Sequence, residues 1–173
     1  ESVKGNGSTF SFTIQLEEAD ESLIKPIHYN NASKTVKGKK RKVLIVEDND
    51  INQVIAKQHL SNHTTLSAKS GVEALQALNK MKVTFDVILM DCQMPEMDGF
   101  EATKRIRNGE AGSRYLNVPI IALTANAMKG DKERCVSAGM DDYLSKPFDA
   151  EDLTDKVERW ASIEKDQEAN AVH

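Results

Sequence analysis

Three carboxylates, a hydroxyl and an ammonium close the apolar runs of this sequence, and that set of groups could handle a phosphoryl group. Glu47 and Asp48 follow the run 43–46, and Asp91 follows the run 87–90. Short β-branched runs separated by helix-period stretches predict parallel strands, and neighbouring strand ends would gather the three acids. At a separation of about 5 Å and an effective dielectric of about 20, each like-charged pair costs roughly 3 kcal/mol. A cation or a raised pKa must offset that cost. Carboxylate and carbonyl oxygens, with no His or Cys among them, favour Mg²⁺, which keeps several waters and commonly bridges carboxylates to a phosphate. The competing reading of Asp48, beside Asn49 and Asp50, is a helix N-cap. Thr124 closes a further run and Lys146-Pro147 follows another. A hydroxyl and an ammonium from adjacent strands can bind the oxygens of a transferring phosphoryl group, where positioning and charge neutralisation supply most of the catalysis. Taken singly, Thr124 could be a strand-end cap and Lys146 a solvated charge.

The elements that would position these groups occupy residues 42–163. Strands are expected at Lys42–Val46, Thr64–Ala68, Asp86–Met90, Pro119–Leu123 and Asp142–Ser145, with helices over about 50–60, 70–81, 98–108, 130–138 and 149–162. This is a (βα)5 α/β fold, a doubly wound five-stranded parallel sheet with helices on both faces. In such sheets ligands bind beyond the carboxyl ends of the strands, near the topological switch point, where the candidate groups stand.

The chain has 173 residues, enough for one domain with extensions. Hydrophobic residues make up 39% and charged residues 29%, and the mean hydropathy is -0.50, as in a soluble globular chain. No apolar run has the length of a membrane span, and no signal peptide is recognisable. The two cysteines, Cys92 and Cys135, form neither a disulfide scaffold nor a metal-ligand spacing, so a reducing, cytoplasmic setting is expected. The net charge of -4 hides a segment, 25–42, with seven bases and no acid. Asn30, Asn31, Ser33 and Gly38 interrupt it and no aromatic ladder follows, so it is expected to be a solvated linker rather than a contact for nucleic acid or membrane. Phe10, Phe12, Ile14 and Leu16 alternate with polar residues after a Gly5-Asn6-Gly7-Ser8 turn, which reads as a strand lacking partners of its own. The expected organisation is this strand segment at 1–17, a basic linker at 18–41, the domain at 42–163 and a flexible tail at 164–173.

The motifs VLIVEDND at 43–50, ILMDCQMPEMDG at 88–99, IIALTANA at 120–127 and DDYLSKPF at 141–148 resemble those of the receiver domain of two-component phosphorelays, over the whole of 42–163. That resemblance implies the flavodoxin-like receiver fold. It implies that Asp91 is the phosphoacceptor and that Glu47, Asp48, Asp91 and the backbone carbonyl of Gln93 hold Mg²⁺. Thr124 and Lys146 would then contact the phosphoryl group, Tyr143 would be the aromatic whose rotamer follows Thr124, and the Lys146–Pro147 peptide would be cis. Gln93 and Asn126, each two residues past a functional position, would influence phosphoryl lifetime.

Residues 5–16, GNGSTFSFTIQL, resemble the closing strand of the ATP-binding domain of sensor histidine kinases, so 1–17 is expected to be a remnant of that domain. The DNDINQ stretch at 48–53 and the long connection at 107–119 are similar to those of hybrid-kinase receivers. The implied parent is a hybrid histidine kinase, itself an enzyme and open to membrane anchoring. This fragment lacks the ATP-binding boxes, a P-loop and a phosphorylated-histidine context around His28, His59, His63 or His173. It would catalyse only the phosphorylation and dephosphorylation of its own aspartate. Expected partners are the histidine kinase domain of the same parent and a histidine phosphotransfer domain, with receiver self-association as a further option. Ile55, Ala56 and Leu60 would face the core, leaving Ile51 and Val54 partly exposed for docking. Two rivals remain, a Mg²⁺-dependent aspartyl-nucleophile phosphatase and an unphosphorylated pseudo-receiver. The first usually carries a second acid where this chain has Gln93, and the second usually lacks one of the groups retained here.

Overall fold

The computed structural model describes residues 2–3, 7–8, 13, 39–81, 83–125 and 129–170. The chain divides into two compact units, Glu1–Lys37 and Gly38–His173. In the first, β1 (Ser2–Val3) pairs antiparallel with β2 (Gly7–Ser8), with Ser2 opposite Ser8. Gly7 and Ser8, expected in a turn, therefore belong to a strand. The strand expected through Phe10, Phe12, Ile14 and Leu16, and the linker as far as residue 38, lie outside the described residues.

In the second unit β3 (Lys42–Val46), β4 (Thr64–Ala68), β5 (Val87–Asp91), β6 (Ile120–Thr124) and β7 (Asp142–Ser145) form one parallel sheet in the order β4-β3-β5-β6-β7. Helices α1 (Asp50–His59), α2 (Gly71–Lys80), α3 (Gly99–Arg107), α4 (Lys129–Ala138) and α5 (Ala150–Asn170) alternate with them, giving the expected (βα)5 order. The period-2 pleat separates two cores. Leu44, Val46, Ile88, Met90, Ile120 and Ala122 pack toward Leu78, Ala102, Ile106 and Cys135 of α2, α3 and α4. Val43, Ile45, Val87, Leu89, Ile121 and Leu123 pack toward Ala56, Leu153, Val157 and Ala161 of α1 and α5. Both faces being covered, the strands read as continuous apolar runs, and each fully buried Val, Leu, Ile or Met contributes about 1.5–3 kcal/mol.

Three differences from the expected elements have local causes. β5 and β6 begin one residue late and end on Asp91 and Thr124 themselves. Pro119 has no N–H to give the ladder, though its carbonyl accepts from Ile88 N at 2.9 Å. A short 3-10 turn at Ser113–Tyr115 occupies the long connection before β6, and Tyr115 is fully buried there. Helix α5 continues to Asn170 rather than stopping near 162, because 161–170 contain good helix formers and no Gly or Pro.

Around β7 Arg107 ties α3 to neighbouring loops, donating from Nε to Gly139 O at 2.9 Å and from Nη2 to Asp141 Oδ2 at 2.7 Å. Its Nη1 donates to the carbonyls of Leu116 at 3.0 Å and Val118 at 2.9 Å. At the opposite end of the sheet buried His63 accepts from Arg41 N through Nδ1 at 3.3 Å, and its Nε2 stands 3.7 Å from Glu158 Oε1. Burial holds the imidazole below its ordinary 6.5, against the pull of the Glu158 carboxylate. The unfolded chain therefore takes up the proton first, so this contribution to stability is complete above pH 6.5 and is lost as pH falls below it. The urea midpoint is expected to drop between about pH 7.5 and pH 5.5, and to drop less in His63→Gln. Equal pH slopes for the two proteins would refute that assignment.

Candidate functional site

The sheet order reverses beside β3, so the carboxyl ends of β3 and β5 border the switch-point crevice. Glu47 follows β3 and Asp91 ends β5, and one oxygen from each of Glu47, Asp48 and Asp91 lies within 4.8 Å of the others. Asn49 takes the N-cap of α1, accepting from Ile51 N at 2.9 Å and Asn52 N at 3.2 Å. Asp48 is thereby left exposed at the mouth of the crevice rather than used as a cap.

Glu47 is 1% exposed, yet both ends of it are held. Asn52 Nδ2 donates to Glu47 Oε1 at 2.8 Å, and Gln53 Nε2 donates to the Glu47 carbonyl at 2.7 Å. Neither amide closes an apolar run, so the pattern of run-ends gives them no role. Their signal was the pair of amide side chains five and six residues after Glu47, in the first turn of a helix.

Lys146 reaches the acids from the strand beyond β6. Its Nζ donates to Glu47 Oε2 at 2.5 Å and to Asp91 Oδ2 at 2.7 Å. Lys146 N also donates to Thr124 O at 2.7 Å, and the Lys146–Pro147 peptide is cis, as the resemblance implied. The other oxygen of Asp91, Oδ1, accepts from Gln93 N at 3.1 Å. Burial raises the Asp91 carboxyl above its ordinary value, with Glu47 adding to the rise and Lys146 and the Gln93 N–H opposing it. Burial opposes the charge on Lys146, but its bonds to Asp91 and Glu47 prevail and hold its pKa above the ordinary value.

Thr124 is buried at the end of β6, next to Lys146 through the backbone. Tyr143 is half-buried on β7, paired with Ala122 of β6, with Lys132 Nζ 5.4 Å and Lys156 Nζ 5.8 Å from its ring centroid. Gln93 is exposed and lines a cleft of about 420 Å³ with Asp48, Cys92, Phe100 and Arg134. Asn126 lies outside the described residues. On α1 the buried positions are Gln53 and Ala56, with Leu60 beyond its end, while Ile51 and Val54 are exposed. Ile55, expected in the core, is 39% exposed, because the inward stripe runs through Gln53, whose amide serves Glu47.

Gly99 is a further positioning residue. A Cβ on it would lie 2.1 Å from the Asp91 carbonyl oxygen, a separation that the backbone of β5 cannot relieve without moving Asp91. Asp98 before it caps α3 by accepting from Glu101 N at 2.8 Å, so the Asp-Gly pair both starts the helix and lets it approach the site. Gly99→Ala is expected to cost about 3 kcal/mol, at the upper end for overpacking. A urea midpoint within error of the parent's would show that the strand end yields freely.

The three acids present only hard oxygen ligands, two of them buried, and their mutual repulsion is only partly met by one ammonium. That donor set fits a divalent cation of the magnesium class.

Residues 43–158 match the response regulator receiver domain family. The chain belongs to that family. Its function is that of a receiver in two-component phosphorelay signalling. This receiver is 40% identical to Histidine kinase 3 of Arabidopsis thaliana over 148 residues, 75% of this chain and 14% of that protein. It is 34% identical to the sensor protein GacS of Pseudomonas syringae over 171 residues, 93% of this chain and 19% of that protein. The chain thus spans less than a fifth of either relative. Among solved structures it resembles the receiver domain of a Pseudomonas aeruginosa sensor histidine kinase, which has a magnesium ion coordinated in its active site cleft. The TM-score is 0.64 at 40% identity, covering 72% of this chain and 99% of that one. The receiver domain of Saccharomyces cerevisiae Ssk1, solved with the histidine phosphotransfer protein Ypd1, aligns with a TM-score of 0.63 at 36% identity, covering 72% of this receiver and 91% of that chain. No helix among the described residues is long and apolar enough to cross a membrane.

Proposed function

We propose that this receiver is the phosphoacceptor of a hybrid histidine kinase, taking a phosphoryl group from phosphohistidine onto Asp91 and passing it to a histidine phosphotransfer domain. The observation that carries the reading is the placement of Lys146 Nζ against two buried carboxylates, 2.5 Å from Glu47 and 2.7 Å from Asp91. An Asp91 oxygen attacks phosphorus, forming a P–O bond as the P–N bond breaks, and the imidazole leaves with its electron pair and takes a proton. Lys146 neutralises charge on the oxygens at Asp91, and the Thr124 hydroxyl donates to a phosphoryl oxygen. Magnesium held by Glu47, Asp48, Asp91 and the Gln93 carbonyl supplies, when bound, positive charge for the same oxygens. Phosphorylation draws Thr124 inward, and Tyr143 follows into the space it leaves.

The exposed Ile51 and Val54 beside the acids suit docking of the phosphotransfer domain, and the solved complex of a related receiver with such a protein supports that partner. The parent's own kinase domain is the upstream donor in this reading. Residues 1–17 are then the end of its ATP-binding domain and 18–41 a basic linker whose last residue, Arg41, is buried beside Glu158, in a cytoplasmic setting, and the tail at 164–173 is helical as far as Asn170. The phosphatase alternative gains nothing from the site, since Gln93 stands where its second acid would be.

The test is intact mass after incubation with acetyl phosphate and a magnesium salt, with and without EDTA. The chain is expected to gain the mass of one phosphoryl group, and chelation to abolish the gain. A magnesium-independent adduct would overturn the metal assignment. Failure with both acetyl phosphate and a phosphorylated histidine phosphotransfer domain would leave an interaction module.

A further inference from the structure

We infer that Cys92 and Cys135 form an oxidisable dithiol, and that closing it to a disulfide restrains phosphoryl uptake at Asp91. The pair is set by two elements that the site already uses. Cys92 directly follows Asp91 at the end of β5, and Cys135 lies on α4. Their Sγ atoms are 3.9 Å apart, and both residues are buried, at 4% and 3% exposure. A disulfide requires the sulfurs to approach to about 2.05 Å, so they must draw together by about 2 Å.

Helix α4 is the element able to make that movement. Of its side chains from 132 to 138, only Cys135 and Ala138 are buried, while Lys132, Glu133, Arg134, Val136 and Ser137 face solvent. Small buried side chains such as these hold this stretch less tightly than long apolar ones would, and Lys132 and Arg134 rest on the part-exposed rings of Tyr143 and Phe100, so local opening of the helix exposes Cys135 first. Cys92 directly follows the central strand β5, whose residues are all buried, and its N–H donates to Leu123 O at 3.0 Å, so it stays in place.

The oxidant class is a hydroperoxide. Hydrogen peroxide oxidises the Cys135 thiol to a sulfenic acid and releases one water. The Cys92 sulfur then attacks the sulfenic sulfur, forming the S–S bond and releasing the second water. Two thiol hydrogens and two electrons have left the protein, and the peroxide is fully reduced to water.

The consequence for the receiver follows from the cleft beside Asp91, and this part rests on the phosphoacceptor reading. Cys92 and Arg134 line that cleft of about 420 Å³ together with Asp48, Gln93 and Phe100. Arg134, adjacent to Cys135, holds its guanidinium 4.5 Å from the Phe100 ring centroid. Drawing Cys135 toward Cys92 pulls that wall inward, narrows the donor's approach and ties down the helix that follows Thr124.

The experiment treats the reduced 173-residue chain with a small excess of hydrogen peroxide, then unfolds it in N-ethylmaleimide and weighs it. The expected product is monomeric, lighter by two hydrogens, and carries no maleimide, whereas the reduced chain carries two and Cys92→Ala or Cys135→Ala yields no such species. Oxidised chain should lose most of its rate of uptake from acetyl phosphate and magnesium, dithiothreitol should restore it, and neither alanine variant should show the reversible loss. Two maleimides after peroxide, a covalent dimer, or oxygen adducts alone would overturn the dithiol. An intramolecular disulfide with undiminished uptake would overturn the restraint. A reduced chain that takes up no phosphoryl group from acetyl phosphate or from a phosphorylated histidine phosphotransfer domain would overturn the phosphoacceptor reading instead, and the thiol count would still decide the dithiol.

Discussion

Asp91→Asn is expected to remove phosphoryl uptake altogether while leaving the fold intact. The substitution keeps the shape and the Oδ1 acceptor that the Gln93 N–H uses at 3.1 Å, but an amide oxygen is a poor nucleophile and the amide carries no charge. Neither neighbour can take over. Glu47 is buried with Oε1 bound by Asn52 and Oε2 by Lys146, and Asp48 stands exposed at the rim. Stability should not fall, because the variant removes one of two buried negative charges that share a single ammonium, and it should rise where the repulsion between them dominates. The measurement is intact mass after acetyl phosphate and a magnesium salt, beside a urea titration. An adduct formed at the parent's rate would move the nucleophile to Asp48 or Glu47, and a collapsed midpoint would make Asp91 structural.

The residues at this site differ in how plainly the sequence displayed them. Glu47, Asp48, Asp91, Thr124 and Lys146 were legible because each closes an apolar run, and in a parallel sheet run-ends share one edge regardless of loop detail. Their partners were not legible in that way. Asn52 and Gln53 serve Glu47 through the helical turn after it, and Gln53 looks in sequence like a solvent-facing polar residue. Ile55 is expected in the core as part of a helical stripe with Ala56 and Leu60, and it is exposed because the buried side of α1 runs through Gln53, whose amide serves Glu47, to Ala56 and Leu60. Arg107 gave no local signal, since its partners lie 8 to 34 residues away in chain and meet only when β6 and β7 pair. The Cys92–Cys135 approach has the same origin, a separation of 43 residues closed by the sheet and α4.

Lys146→Ala should separate what the ammonium does for the fold from what it does for transfer. Without it Glu47 and Asp91, at 2% and 8% side-chain exposure, face each other with no compensating charge. Removing one partner of a buried pair costs about 3–5 kcal/mol, and the low end applies because the Lys146 side chain is itself 20% exposed. Phosphoryl uptake should fall by roughly 100-fold or more, the usual loss when one donor to developing oxyanion charge is deleted. Adding a magnesium salt should raise the urea midpoint of the variant more than that of the parent, since the acids then hold the only compensating charge. Lys146→Arg makes the division sharper. A guanidinium restores the positive charge, so stability should return toward the parent's, but its planar fork cannot reproduce a compact point charge 2.5 Å from one carboxylate and 2.7 Å from the other. Uptake should therefore stay low in the arginine variant. Full recovery of uptake with arginine would mean that net charge alone, rather than the placement of Nζ, assists transfer at Asp91.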